Sequence, residues 1–234
     1  MSRVLLRLVR LAFFTLISAA ATAAESSTWI ALFDGRTLDG WKSVGGHATF
    51  EVRQGAIVGT IVADPYATFL VTEREFGDFM LEAEFKSDWG LNSGLQFRAV
   101  VPPGFPKERM LGYQYEIDPT DRGITGALNG DIPGRKGHGL SPAAHSGPLR
   151  DAWIGQRADG TWLKRDDWNA VRIECRGLRI RLWLNGHLTV DYQDTAFARG
   201  VIGLQIPQAP ENSSWSLHVG KTIAFRQVRV QILD

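Results

Sequence analysis

The sequence predicts an all-β fold, a sandwich of two antiparallel sheets, and three observations predict it. Helical periodicity is nearly absent. Short runs in which apolar and polar residues alternate recur between Gly, Pro, Asn and Asp. Arg176-Gly177 and Asn185-Gly186 separate such runs as hairpin turns do.

Taken in order, the runs place strands over residues 50–53, 56–60, 69–72, 79–87, 94–100 and 112–117, then over 168–176, 179–184, 187–192, 200–206 and 224–233. Short antiparallel strands at this spacing make a two-sheet sandwich. In the later group Arg172, Glu174 and Arg176 alternate with Ile173 and Cys175. Arg181, Trp183 and Asn185 likewise alternate with Ile180, Leu182 and Leu184, so each strand has one wet face. The interval 119–165 is rich in Gly, Pro and charge and has no apolar period. Loops this long are often lids or binding loops, and this one starts directly after Asp118. No internal repeat or linker divides the chain.

Arg3, Arg7 and Arg10 precede an apolar run over 11–21 that ends in Ala21-Thr22-Ala23. A basic start, a short apolar core and small residues before a cut describe a signal peptide over residues 1–23. The run is shorter than the roughly 20 apolar residues of a membrane span. The expectation is therefore an exported chain, periplasmic or at the cell surface, with one domain over 24–234 and no membrane span after cleavage. Losing the leader removes three Arg and no acid, taking the formal charge from +1 to −2. A near-neutral chain lacks the electrostatic footprint of a nucleic-acid binder. Cys175 is the only cysteine, so no intramolecular disulfide forms. It shares parity with Val171 and Ile173 and reads as a buried apolar residue without chemistry.

Two ladders carry the chemistry. In Asn92-Ser93-Gly94-Leu95-Gln96-Phe97-Arg98, period two puts Asn92, Gln96 and Arg98 on one face; in Gly112-Tyr113-Gln114-Tyr115-Glu116-Ile117-Asp118 it does the same for Gln114, Glu116 and Asp118. A surface of amides, carboxylates and a guanidinium over an apolar core suits a sugar. Same-face carboxylates two residues apart have backbones roughly 6 to 7 Å apart. That spacing suits a general base beside a second acid, or two ligands for a divalent metal ion such as calcium. It equally suits a solvated face with salt bridges to Arg98 or Arg172.

Arg98 is a candidate clamp for sugar hydroxyls, a carboxylate or Glu116. Gly94 permits close approach or a bulge, or marks the strand's start. In the 119–165 interval His138 and His145 are candidates for proton transfer or metal ligation. They lack any zinc-binding spacing, and Asp121, Arg122, Asn129, Asp131 and Lys136 accompany them. Trp183, on a wet face, is the candidate aromatic platform, whereas Trp41 and Trp168 read as packing beside turns. The chain has no GxSxG elbow, no Walker loop and no GxGxxG after a strand, which argues against serine hydrolases, nucleotide-dependent enzymes and dehydrogenases.

Four segments in order carry a family resemblance: Leu32-Phe33-Asp34-Gly35-Arg36-Thr37-Leu38-Asp39-Gly40-Trp41, the two ladders, and Phe225-Arg226-Gln227-Val228-Arg229-Val230. Trp168-Asn169, Leu184-Asn185-Gly186 and Gly203-Leu204-Gln205 extend it. Together they resemble the 3-keto-disaccharide hydrolase family, long known as a domain of unknown function and also described as 3-keto-glucoside lyases and 2-hydroxy-3-keto-glucal hydratases. The resemblance implies a concanavalin A-like jelly roll and a carbohydrate substrate whose 3-hydroxyl a partner sugar 3-oxidoreductase has already oxidised. The ketone acidifies the C2 proton; a base removes it, the C1 aglycone leaves, and water adds to the enone. This differs from glycosidases that work through an oxocarbenium-like state. By the same resemblance Glu116 or Asp118 is the base or a metal ligand, and Arg98 or a cation holds the oxyanion. Asn92, Gln96, Gln114, Trp183, Gln205 and His138 then form the substrate-binding set. The alternative is a non-catalytic carbohydrate-binding module of the same fold, and a third reading is an envelope interaction domain. The chain departs from the family at Pro207, where many relatives have a His, and at the inserted stretch 208–219, which contains His218.

Overall fold

The computed structural model describes residues 28–106, 110–132 and 162–233. Among these, the strands are β1 (Trp29–Ala31), β2 (Trp41–Gly45), β3 (Thr49–Arg53), β4 (Ala56–Thr60), β5 (Thr68–Thr72), β6 (Phe79–Ser87), β7 (Ser93–Val100), β8 (Leu111–Ile117), β9 (Leu128–Asp131), β10 (Asn169–Arg176), β11 (Arg179–Leu184), β12 (His187–Gln193), β13 (Val201–Ile206) and β14 (Thr222–Ile232). Ser214–His218 forms a short 3-10 helix. One sheet runs β12-β11-β10-β6-β14-β4-β3, with β1 also paired to β14; the other runs β2-β5-β13-β7-β8-β9. All recorded pairings within both sheets are antiparallel, and the fold is a concanavalin A-like jelly roll.

The inner faces follow from alternation. Phe79, Leu81, Ala83 and Phe85 of β6 and Ile173 and Cys175 of β10 pack against Leu95 and Phe97 of β7, Tyr113, Tyr115 and Ile117 of β8 and Leu204 of β13. Burying each large apolar side chain stabilises the sandwich by about 1.5–3 kcal/mol. In β14 the alternation breaks: the pairing with β6 shifts between Arg226 and Arg229, and Gln227 has φ 54°. That bulge brings both Ile223/Phe225 and Val228/Val230 to the core. Burial pushes the Cys175 thiol up to about 12, so it stays protonated filler.

Three strands go beyond the sequence expectation. β1 has three residues and β2 lies on a sheet edge, too short or too mixed for a clear period. β9 falls inside the 119–165 interval, where Leu128-Asn129-Gly130-Asp131 reads as turn chemistry but pairs with Gly112 to Tyr115 of β8. The 119–165 interval is thus not loop throughout, and its remainder over 133–161, with His138, His145 and Trp153, lies outside the described residues.

Candidate functional site

The outer face of the six-stranded sheet carries two kinds of surface. Toward one end Phe69, Val71, Ala99 and Met110 cluster, with Phe105 and Val201 packed against them. Beside them lies a polar patch laid out by strand register. Gly203, Gln96, Gln114 and Asn129 are successive cross-strand partners, and Gly94 pairs with Glu116. Because Gly94 has no side chain, Gln114 folds across it; a Cβ at position 94 would lie 2.5 Å from Gln114 Nε2. The resulting cleft of roughly 380 Å³ is lined by Asn92, Gln96, Gln114, Glu116, Asn129 and Gln205, flanked by Tyr66, Phe105, Met110 and Trp215. Asp64, 3% exposed, holds the Tyr66 wall by accepting from the backbone N–H groups of His47 at 2.7 Å and Tyr66 at 2.8 Å.

Glu116 is the centre of this patch. Asn92 Nδ2 donates to its Oε1, while Gln114 Nε2 and Asn129 Nδ2 each donate to Oε2 at 3.0 Å. Gln96 Nε2 in turn donates to Gln114 Oε1 at 2.5 Å. The carboxylate, acceptor on both oxygens, thereby orients a chain of amides. Burial pushes the Glu116 carboxyl above the usual range; the hydrogen bonds from Asn129, Asn92 and Gln114 and the charge of Arg122 offset this only in part.

Three expected site residues lie elsewhere. Arg98 does not share the face of Asn92 and Gln96. Phe97 pairs with Tyr113 but Val100 pairs with Leu111, so β7 carries one extra residue, and Arg98 takes it up at φ 45°. Its guanidinium points to the sandwich's end and donates to the carbonyls of Gly77, Gly177 and Phe197 and to Asp78 Oδ1. Asp118 follows the last residue of β8, where the chain turns away. Its carboxylate accepts from Thr120 Oγ1 and pairs with Arg122, and its backbone N–H donates to Thr125 Oγ1, so it ties down the following loop. Trp183 sits on the outer face of the other sheet, with Arg181 5.5 Å above its ring, beside Glu82, Arg172 and Arg229. The structure thus brings Asn92, Gln96, Gln114, Glu116 and Gln205 into one cleft and leaves Arg98, Asp118 and Trp183 out. His138 is outside the described residues.

A divalent cation shared by Glu116 and Asp118 does not fit this arrangement. Hard cations require oxygen donors, whereas the Glu116 oxygens face amide N–H groups and Asp118 is taken up by Thr120 and Arg122. Among the described residues no group of three His, Cys, Asp or Glu converges.

The 3-keto-alpha-glucoside-1,2-lyase-like domain matches this sequence over residues 28–231. The chain belongs to that family. Membership places the lyase-like domain among proteins of carbohydrate chemistry. No curated protein matches the chain in sequence. Among solved structures it resembles a protein of Parabacteroides distasonis ATCC 8503 described as a candidate glycosyl hydrolase, at 19% identity and TM-score 0.59, covering 88% of this chain and 94% of that one. It also resembles the β-glucanase of Bacillus licheniformis at 10% identity and TM-score 0.55, covering 89% and 98%. The carbohydrate-binding module CBM66 from Bacillus subtilis matches at 16% identity and TM-score 0.50, covering 82% and 95%. At such identities these likenesses establish the fold alone. Among the described residues no helix is long and apolar enough to cross a membrane.

The sequence offers Asn129 only among the polar residues of the 119–165 interval, and the alternation of Asn129 and Asp131 around Gly130 is the signal that places it on a strand. Trp215 has no local period to reveal it and reaches the cleft only through the 3-10 helix.

Proposed function

We propose that the chain cleaves 3-keto-glycosides by elimination followed by hydration, with Glu116 as the base that removes the C2 proton. The observation that carries this reading is a buried carboxylate with a raised pKa, 3% exposed, set among amides in the wall of a cleft whose other carboxylate, Asp131, is less buried. A carboxyl raised above the ordinary range is a stronger base than an ordinary one and suits proton transfer. The 3-ketone acidifies C2–H, and Glu116 takes that proton. The electron pair of the broken C2–H bond then becomes the C1=C2 double bond as the C1–O bond breaks and the aglycone departs, its oxygen taking up a proton, and water adds to the enone to give the free keto-sugar. Each of the Asn92, Gln114 and Asn129 amides gives one N–H to Glu116, and its second N–H is the donor for a developing enolate oxygen. The reading includes an exported chain whose substrate is supplied by a sugar 3-oxidoreductase, since the ketone must be installed before C2–H becomes acidic.

The test is release of p-nitrophenol from p-nitrophenyl 3-keto-glucosides by the purified protein. Glu116→Gln is expected to lower the rate at least about a hundredfold while the protein stays folded. Full activity in that variant would sink the assignment. A second reading, a non-catalytic carbohydrate-binding module, is favoured by one observation: both Glu116 oxygens already accept hydrogen bonds. It predicts saturable sugar binding with no turnover of any keto-sugar.

A further inference from the structure

We propose that Trp215, carried by the stretch 208–219, is a stacking platform for one pyranose ring whose hydroxyl edge is held by Gln96 and Gln205, making the cleft selective for neutral sugars. This rests on reading the cleft as a sugar site and goes beyond it by naming what selects the ring.

The first observation is the fixed position of the aromatic ring. Trp215 lines the cleft together with Phe105 and Met110 and is half-buried. Its stretch is fastened at both ends to the segment after β4. Asp64 and Ala209 exchange backbone hydrogen bonds of 3.1 and 2.8 Å, and Gly220 N–H reaches the Ile61 carbonyl at 3.0 Å. Within the stretch, Ser213 Oγ and Ser216 Oγ donate to the carbonyls of Pro210 and Ser213, each at 2.7 Å. The ring lies beside His218, centroids 5.8 Å apart and tilted at 53°. An indole held this way presents a face without a large ordering cost on binding.

The second observation is independent and points to a ligand. Gln96 Oε1 and Gln205 Oε1 are buried carbonyl oxygens with no donor among the described residues, and Gln96 is only 5% exposed. For Gln96 the orientation follows from chemistry. Ionised Glu116 accepts from Gln114 Nε2, which leaves Gln114 Oε1 to accept from Gln96 Nε2 and Gln96 Oε1 without a donor. Gly203 is the cross-strand partner of Gln96, so Gln205 lies diagonally from it, at a Cβ separation of about 7–8 Å or somewhat less. Two buried acceptors this close suit two donors from one ligand, which would displace the water that otherwise satisfies them.

A pyranose with equatorial hydroxyls meets both demands, since its O–H groups radiate in the ring plane while its C–H bonds cover the faces. An anionic sugar does not, because its carboxylate would face two acceptors and Glu116. A bare cation is disfavoured by the N–H groups that surround that carboxylate.

The probes are methyl 3-keto-α-glucoside and its β anomer, methyl glucoside, its 4-deoxy and 6-deoxy analogues, and methyl glucuronide, measured by calorimetry on the full chain. Trp215→Ala is expected to weaken binding of the preferred neutral glycoside about tenfold, and Trp215→Phe to recover most of the loss. At least one deoxy analogue should lose about tenfold, and the glucuronide should bind worst. In turnover, Trp215→Ala should raise KM and leave kcat nearly unchanged. Equal binding by wild type and Trp215→Ala, with both folded, would overturn the platform and leave the elimination reading standing. Deoxy analogues and glucuronide binding as well as the parent would overturn the role of Gln96 and Gln205. Loss of binding in Trp215→Ala with no turnover in wild type would support the platform and overturn the elimination reading. No sugar binding by wild type would overturn both.

Discussion

Glu116 and Arg98 are charged residues on neighbouring strands, each almost wholly buried, and their partners give them opposite parts. Glu116 accepts hydrogen bonds from neutral amides, and these and the charge of Arg122 offset burial only in part, so its pKa stays raised and leaves a reactive group in a cleft wall. Arg98 meets three carbonyls and Asp78, a set that satisfies a guanidinium and fastens three loops at one end of the sandwich. Replacing it with Met takes the guanidinium from acceptors that are half-buried or exposed, Asp78 among them at 33%. Arg98→Met is therefore expected to lower stability by about 1–3 kcal/mol, read from urea unfolding, with kcat of the folded fraction unchanged. A loss of kcat without loss of stability would return Arg98 to the chemistry. The Glu116 environment also predicts a pH profile. Its carboxyl must be ionised to act, so kcat/KM should rise with pH through an inflection above the usual carboxylate range. That inflection should vanish in Glu116→Gln. Residue type and parity pointed to Glu116 in the sequence, whereas nothing local distinguished the fates of Glu116 and Asp118, because the end of β8 lies between them.

At the scale of elements, alternation in the sequence reveals strands wherever one face is wet and the other dry, as in β6, β10 and β11. It fails where a strand slips. The bulge in β7 adds one residue between Phe97 and Val100, which reverses the parity that put Arg98 beside Gln96. Close approach of Gly200 helps make room: a Cβ there would lie 2.3 Å from the Ala99 carbonyl. Bulges depend on pairing with neighbouring strands, so the run itself carries no mark of one. Gly94 was legible as a position of close approach, and register explains it: Gln114 lies where its side chain would be. Gly94→Ala should displace Gln114 from Glu116, lowering kcat/KM by about tenfold while thermal unfolding moves by only a few degrees. Unchanged kinetics in a folded Gly94→Ala protein would show that the amide chain does not position Glu116.

Over the whole molecule, the two outer faces divide the work. The eight-stranded sheet carries Glu82 between Arg172 and Arg229, at 2.6 Å from each. Burial opposes ionisation of Glu82, but the hydrogen bonds from Arg229 and Arg172 outweigh it and hold the carboxyl below its usual range. Its contribution to stability is thus present above the ordinary Glu pKa and is lost as pH falls through the lowered folded value. Glu116 acts in the reverse sense: its raised pKa means that folding takes up a proton, so its contribution weakens as pH rises from the ordinary value through the raised one. The six-stranded sheet carries the cleft, and the sandwich between the faces is what the alternation in the sequence specifies most clearly. The central claim is that Glu116 removes the C2 proton of a 3-keto-glycoside, and the rate of aglycone release from a C2-deuterated 3-keto-glucoside tests it most directly. The account predicts slower release than from the protiated substrate, and almost no release from either with Glu116→Gln. Equal rates for the two isotopologues, together with undiminished release by Glu116→Gln, would contradict it.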